Sequence, residues 1–141
     1  VVSCAYTDII TNILTCVWEM ADFIDESKPI NRMARKIPAD LQALNTLLKK
    51  SSTPFFYDQP EPTIADYFVF EAFTAAKDYC QKLLPAKEDR EALVQLEHLI
   101  KQRPGPKKHF EQGSLFKRFS GSPKEAEYIA DLATKHPSTD Q

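Results

Sequence analysis

The first 104 residues contain no glycine; the three in the chain are Gly105, Gly113 and Gly121. Glycine reaches positive φ at no steric cost, and tight hairpins and phosphate-cradling loops depend on that freedom. So long a stretch without one is poor material for a meandering sheet or a nucleotide-binding loop. The expected class is therefore all-α, a helical bundle of about five to six helices. A chain of 141 residues can bury a real core. We expect one domain over residues 1–141, with a polar tail at 135–141.

The organising element is a helix whose start is written plainly. Thr63 is a good N-cap residue, and Asp66 stands three positions later, where a capping box places its carboxylate. The spacing predicts that the threonine hydroxyl accepts from the amide of residue 66 while the aspartate reaches back to the amide of residue 63. Pro60 and Pro62 prevent any earlier helix from running through. From Tyr67 to Ala76 only Glu71 and Thr74 are polar, so this helix is expected to be wrapped by others on most sides. Asp66→Ala is expected to cost about 1–2 kcal/mol through loss of the cap and any buried partners.

Other helices follow from periodicity. Ile10, Ile13, Leu14, Val17, Ala21 and Ile24 recur at i, i+3, i+4 and predict a first helix that ends near Asp25. Because that pattern starts at Val1 with no cap or leader, upstream sequence is expected to have been removed; a natural start or processing of a precursor are the alternatives. Lys28, Arg32, Arg35 and Lys36 make a basic connection, read as solvated surface. A second helix begins near Pro38 and carries the stripe Leu41, Leu44, Leu47 and Leu48. Residues 51–62 form a loop whose Phe55-Phe56-Tyr57 is expected to fold back on the core. A fourth helix, about Glu88 to Lys101, points Leu93, Leu96 and Ile100 inward. A short helical piece follows Pro106. Ser122-Pro123-Lys124-Glu125 opens a last helix, about Pro123 to Thr134.

Composition removes several function classes. With a net charge of −2, nothing global points to nucleic acid or an anionic membrane. Cys4, Cys16 and Cys80 are odd in number and lack metal-ligand spacing, which favours a reducing, cytoplasmic setting over a disulfide framework. His98, His109 and His136 are scattered and read as surface residues, so no metal site is expected. No membrane span is predicted. Nothing in the spacing forms a Ser-His-Asp or Cys-His arrangement, and no catalytic residue is assigned.

Taken together, the loop Phe55-Phe56-Tyr57-Asp58-Gln59-Pro60-Glu61-Pro62 and the box Thr63-Ile64-Ala65-Asp66 resemble the C-terminal, all-helical domain of cytosolic glutathione transferases. The resemblance covers nearly the whole chain. Its tail from Gly113 through Phe119 is similar in length to the extensions of mu- or sigma-like members. Two departures stand out. Family members place glycine before the loop aspartate, where this chain has Tyr57; beyond Arg103-Pro104, Pro106 and His109 fall near slots that usually hold an aliphatic and an aromatic residue.

The resemblance implies a detoxification transferase with glutathione as co-substrate, a thioredoxin-like N-terminal domain that activates the thiol, and a homodimer. On the first helix, Asp8, Thr11, Thr15 and Trp18 recur at helical spacing as a more polar stripe. The resemblance assigns Asp8 to the amino group of the partner subunit's glutathione, and Tyr6, Thr11, Thr15 and Trp18 to the wall of the electrophile pocket. Asp8 also reads as an ordinary acid near a helix N-terminus, and Trp18 as core. Phe116 and Phe119 either cover the pocket mouth or anchor the tail. Two functions stay open: the substrate-binding half of a glutathione transferase, inactive alone, or a non-catalytic protein-interaction module of similar fold.

Overall fold

The computed structural model describes residues 1–18, 36–79 and 84–111, the side chains of 16–18, 79, 109 and 110 excepted, together with Glu127, Ala130, Asp131 and Thr134. Five α-helices occupy this part: α1 (Val2–Trp18), α2 (Ile37–Lys49), α3 (Ile64–Tyr79), α4 (Glu91–Gln102) and α5 (Pro104–Glu111). Short 3-10 turns lie at Phe56–Asp58 and Lys87–Asp89. No strand occurs among the described residues, which agrees with the all-α expectation. The expected end of the first helix near Asp25, most of the basic connection and the tail lie outside the described residues. Of the expected last helix only Glu127, Ala130, Asp131 and Thr134 are described, all four helical.

The third helix is central and packs against α1, α4 and α2. Its inward residues explain how three neighbours fit around it. Ala72, Ala75 and Ala76 are fully buried and let adjacent helices approach, while Val69 and Phe73 fill the volume between them. Leu41, Leu44 and Leu48 of α2 and Leu93, Leu96 and Ile100 of α4 join the same core. Leu47 is only half-buried. On α1 the inward line is Val2, Ile9 and Ile13, so Ile10 and Leu14 fall on its flank instead of its centre. Each fully buried side chain of this kind contributes about 1.5–3 kcal/mol.

The capping box forms, with a different wiring. Thr63 N–H donates to Asp66 Oδ2 at 2.7 Å, as the spacing predicts. Its hydroxyl also donates to Oδ2, at 3.0 Å, and the Asp66 amide bonds to the Thr63 carbonyl at 3.1 Å. A hydroxyl has one proton, and a carboxylate is the strongest acceptor within reach. The remaining oxygen, Oδ1, accepts from the buried Phe56 N–H at 2.9 Å. Asp66 is fully buried. It therefore closes the loop onto the helix as well as capping it.

That loop corrects one expectation. Phe55 and Phe56 are buried, but Tyr57 is exposed. Tyr57 and the adjacent Asp58 have φ of 60° and 57°, in the left-handed region that the missing glycine would suit. A non-glycine residue there costs roughly 1–2 kcal/mol. Hydrogen bonds offset the cost: Asp58 Oδ1 accepts from Ser52 N–H at 2.6 Å and from Ser52 Oγ at 2.9 Å, and the Asp58 N–H donates to Ser51 Oγ at 3.0 Å.

Glu97 ties α3 to α4. It is buried and bonds Lys77 of α3 at 2.7 Å and Lys101 of its own helix at 2.6 Å. Burial pushes its carboxyl up, but the hydrogen bonds from Lys101 and Lys77 outweigh burial and hold it below the ordinary glutamate range. A folded carboxyl lower than the unfolded one stabilises above the unfolded value of about 4.3 and loses that contribution as pH falls through the folded one. We expect Glu97→Gln to cost about 1 kcal/mol at neutral pH. In urea titrations from pH 7 to pH 3, the gap between the two proteins should narrow; a constant gap would contradict the ionic role.

Candidate functional site

Helix α1 presents two separate flanks. At 100° per residue, Asp8, Thr11 and Thr15 lie within about 60° of one another, opposite the buried line through Ile9 and Ile13. Tyr6 lies about 160° from Asp8 around the helix. It is half-buried and stacks on Phe68 of α3, ring centroids 4.7 Å apart and planes 14° apart. Asp8, Thr11 and Thr15 therefore share a face that Tyr6 does not join. Trp18 ends α1, and its side chain lies outside the described residues, as do Phe116 and Phe119.

The threonines are partly committed. Thr15 Oγ1 donates to the Thr11 carbonyl at 2.8 Å, the back-bonding usual for a helical threonine. Its lone pairs are left as acceptors. Thr63 and Asp66, the structural pair, lie within the bundle at the start of α3 and serve the fold.

Asp8 is exposed and has a neighbour that its sequence position did not disclose. Asp40, in the first turn of α2, is held above the ordinary aspartate range, first by burial and then by the negative charge of Asp8; Lys36 acts in the opposite direction without cancelling them. Asp40 also lines an open groove of about 650 Å³ between the start of α1 and the outer face of α2. Val1 and Ala5 contribute from α1; Ala39, Ala43, Leu44 and Leu47 supply an apolar floor from α2; and Lys50 stands at the far end. The result is a small-residue groove with Asp40 at one end, and Asp8 and Lys36 act on that carboxylate electrostatically from outside the lining. Such an end attracts a cationic or ammonium group. Only the packing of α1 on α2 reveals the pair Asp8 and Asp40, because 32 positions separate its members in the chain.

Among the described residues no group of three or more His, Cys, Asp or Glu side chains could hold a metal ion. No helix there is long and apolar enough to cross a membrane. Cys4 is exposed on α1 and makes no disulfide.

The family model for the glutathione S-transferase C-terminal domain matches residues 7–113. That span includes Asp8, Thr11, Thr15, the α2–α3 loop and the Thr63–Asp66 cap. Tyr6, Phe116 and Phe119 fall outside it. No curated protein and no solved structure matches the chain.

Proposed function

The chain belongs to the glutathione S-transferase C-terminal domain family, and from that premise we propose that it is the substrate-binding half of a glutathione transferase. In this reading a thioredoxin-like domain generates the glutathione thiolate. The present helices wall the electrophile pocket, and the protein works as a cytoplasmic homodimer. The family match over residues 7–113 carries the proposal.

The face of α1 bearing Asp8, Thr11 and Thr15 is the wall we assign to substrate, with Trp18 continuing it and Phe116 and Phe119 covering the mouth. Tyr6 braces α1 against α3 through Phe68. Asp8 takes the amino group of glutathione bound to the partner subunit. Its exposure and the second carboxylate at Asp40 support that role, because an ammonium group would relieve the repulsion between them.

The direct test joins the chain to a thioredoxin-like glutathione-binding domain. The fusion should be retained on immobilised glutathione, elute with free glutathione and conjugate a chromogenic electrophile. Stable association with a non-identical protein, without glutathione binding, would instead favour the interaction-module reading. In the active fusion, Asp8→Asn should raise KM for glutathione about tenfold with little change in kcat, as expected for loss of a charge-assisted hydrogen bond. An unchanged KM would leave Asp8 as an ordinary helix acid.

A further inference from the structure

The loop that joins α2 to α3 has its own chemistry, independent of the pocket. Ser52 is exposed and lies two residues beyond Lys50, the C-cap of α2. The local sequence is Lys49-Lys50-Ser51-Ser52, two cations followed by one spacer and a serine. Ser52 holds the loop shut: its amide and its hydroxyl both donate to Asp58 Oδ1, at 2.6 Å and 2.9 Å. Asp58 and its neighbour Tyr57 keep positive φ, so this latch stabilises a backbone arrangement that is unfavourable by itself.

We propose that Ser52 is a phosphorylation site for a basophilic serine kinase, and that its modification opens the Asp58 latch. Paired lysines just before an exposed serine suit a kinase with an acidic substrate cleft. Lys50 is exposed, and among the described residues Lys49 is held by the Glu88 carbonyl and by a solvent-exposed ion pair with Glu91. In the transfer, Ser52 Oγ attacks the γ-phosphorus of ATP, the bond to the β-phosphate oxygen breaks and ADP leaves. The hydroxyl proton passes to the kinase's catalytic carboxylate.

Two consequences follow at Ser52. The hydroxyl donor to Asp58 is lost, and a group of roughly −2 charge takes its place beside a carboxylate. The phosphate also stands just past the C-terminus of α2, the negative end of that helix. Lys50 draws the phosphate toward α2 and away from Asp58. With the latch open, residues 57–58 lose part of the support for their left-handed conformation, and the bonds of Ser51 to Asp58 and of Gln59 to the Tyr57 carbonyl remain. Phe56, whose amide bonds to Asp66, adjoins them.

The test treats the full chain with ATP, magnesium and a kinase that prefers two basic residues before the acceptor. Mass mapping should place one phosphate on Ser52, absent from Ser52→Ala. The modified protein should melt about 3–6 °C below the unmodified one. That gap should shrink in about 0.5 M salt, because exposed charges are screened. In Asp58→Asn, phosphorylation should leave the melting temperature nearly unchanged. Phosphate on Ser51 instead, or none on the folded chain while a peptide covering residues 47–56 is fully modified, overturns the site; an unmodified peptide also overturns it. An equal drop in Asp58→Asn overturns the latch.

Discussion

Asp66→Ala is expected to lower the stability of this bundle by about 3 kcal/mol, more than loss of a helix cap alone would explain. The carboxylate accepts from Thr63 N–H, Thr63 Oγ1 and the buried Phe56 N–H. Truncation leaves the buried Phe56 N–H and the part-buried Thr63 N–H without this acceptor, at about 1–3 kcal/mol for an unsatisfied buried group and less for the part-buried one. Urea unfolding measures the effect, read as a lower midpoint at constant slope. Asp66→Asn keeps one carbonyl oxygen and should lose roughly half as much. A loss under about 1 kcal/mol for the alanine variant would mean that water or a shifted loop replaces the carboxylate.

The second large effect is expected at Asn45, a buried polar residue on the core face of α2. Helix α4 begins after Arg90, which makes no side-chain cap bond of its own. Asn45 Oδ1 supplies the cap from another helix, accepting from Ala92 N–H at 2.9 Å and Leu93 N–H at 3.3 Å. Lys49, one turn further along α2, reaches the Glu88 carbonyl at 3.1 Å and so clamps the same junction. Asn45→Ala should cost about 2 kcal/mol from the unpaired amides. Asn45→Leu separates this from a simple packing loss, since it refills the space and still leaves the amides unmet. Recovery of full stability in the leucine variant would sink the capping role.

Both residues show how far local pattern reaches. Thr63 and Asp66 are three apart, so their mutual contact could be read from spacing, and the leucine stripes of α2 and α4 were equally legible. The bond from Phe56 to Asp66 spans ten residues of irregular chain, and no period describes such a loop. Nothing in the leucine-rich pattern of α2 singles out Asn45; its partners lie more than 45 positions away. On α1 the polar stripe through Asp8, Thr11 and Thr15 was visible as a periodicity. Which neighbour each flank of α1 meets was not, and that decides that Tyr6 stacks on Phe68 while Asp8 lies near Asp40.

Absence of glycine before residue 105, together with apolar periodicity, was enough to determine an all-helical bundle, because both act through the backbone of neighbouring residues. A left-handed turn forms without glycine at Tyr57 and Asp58, with support from Ser51 and Ser52. Only the tertiary structure decided where buried donors find acceptors and which carboxylates come together. Hydrogen bonds and charges act through space, and a helix start signal carries no information about the helix that will lie against it.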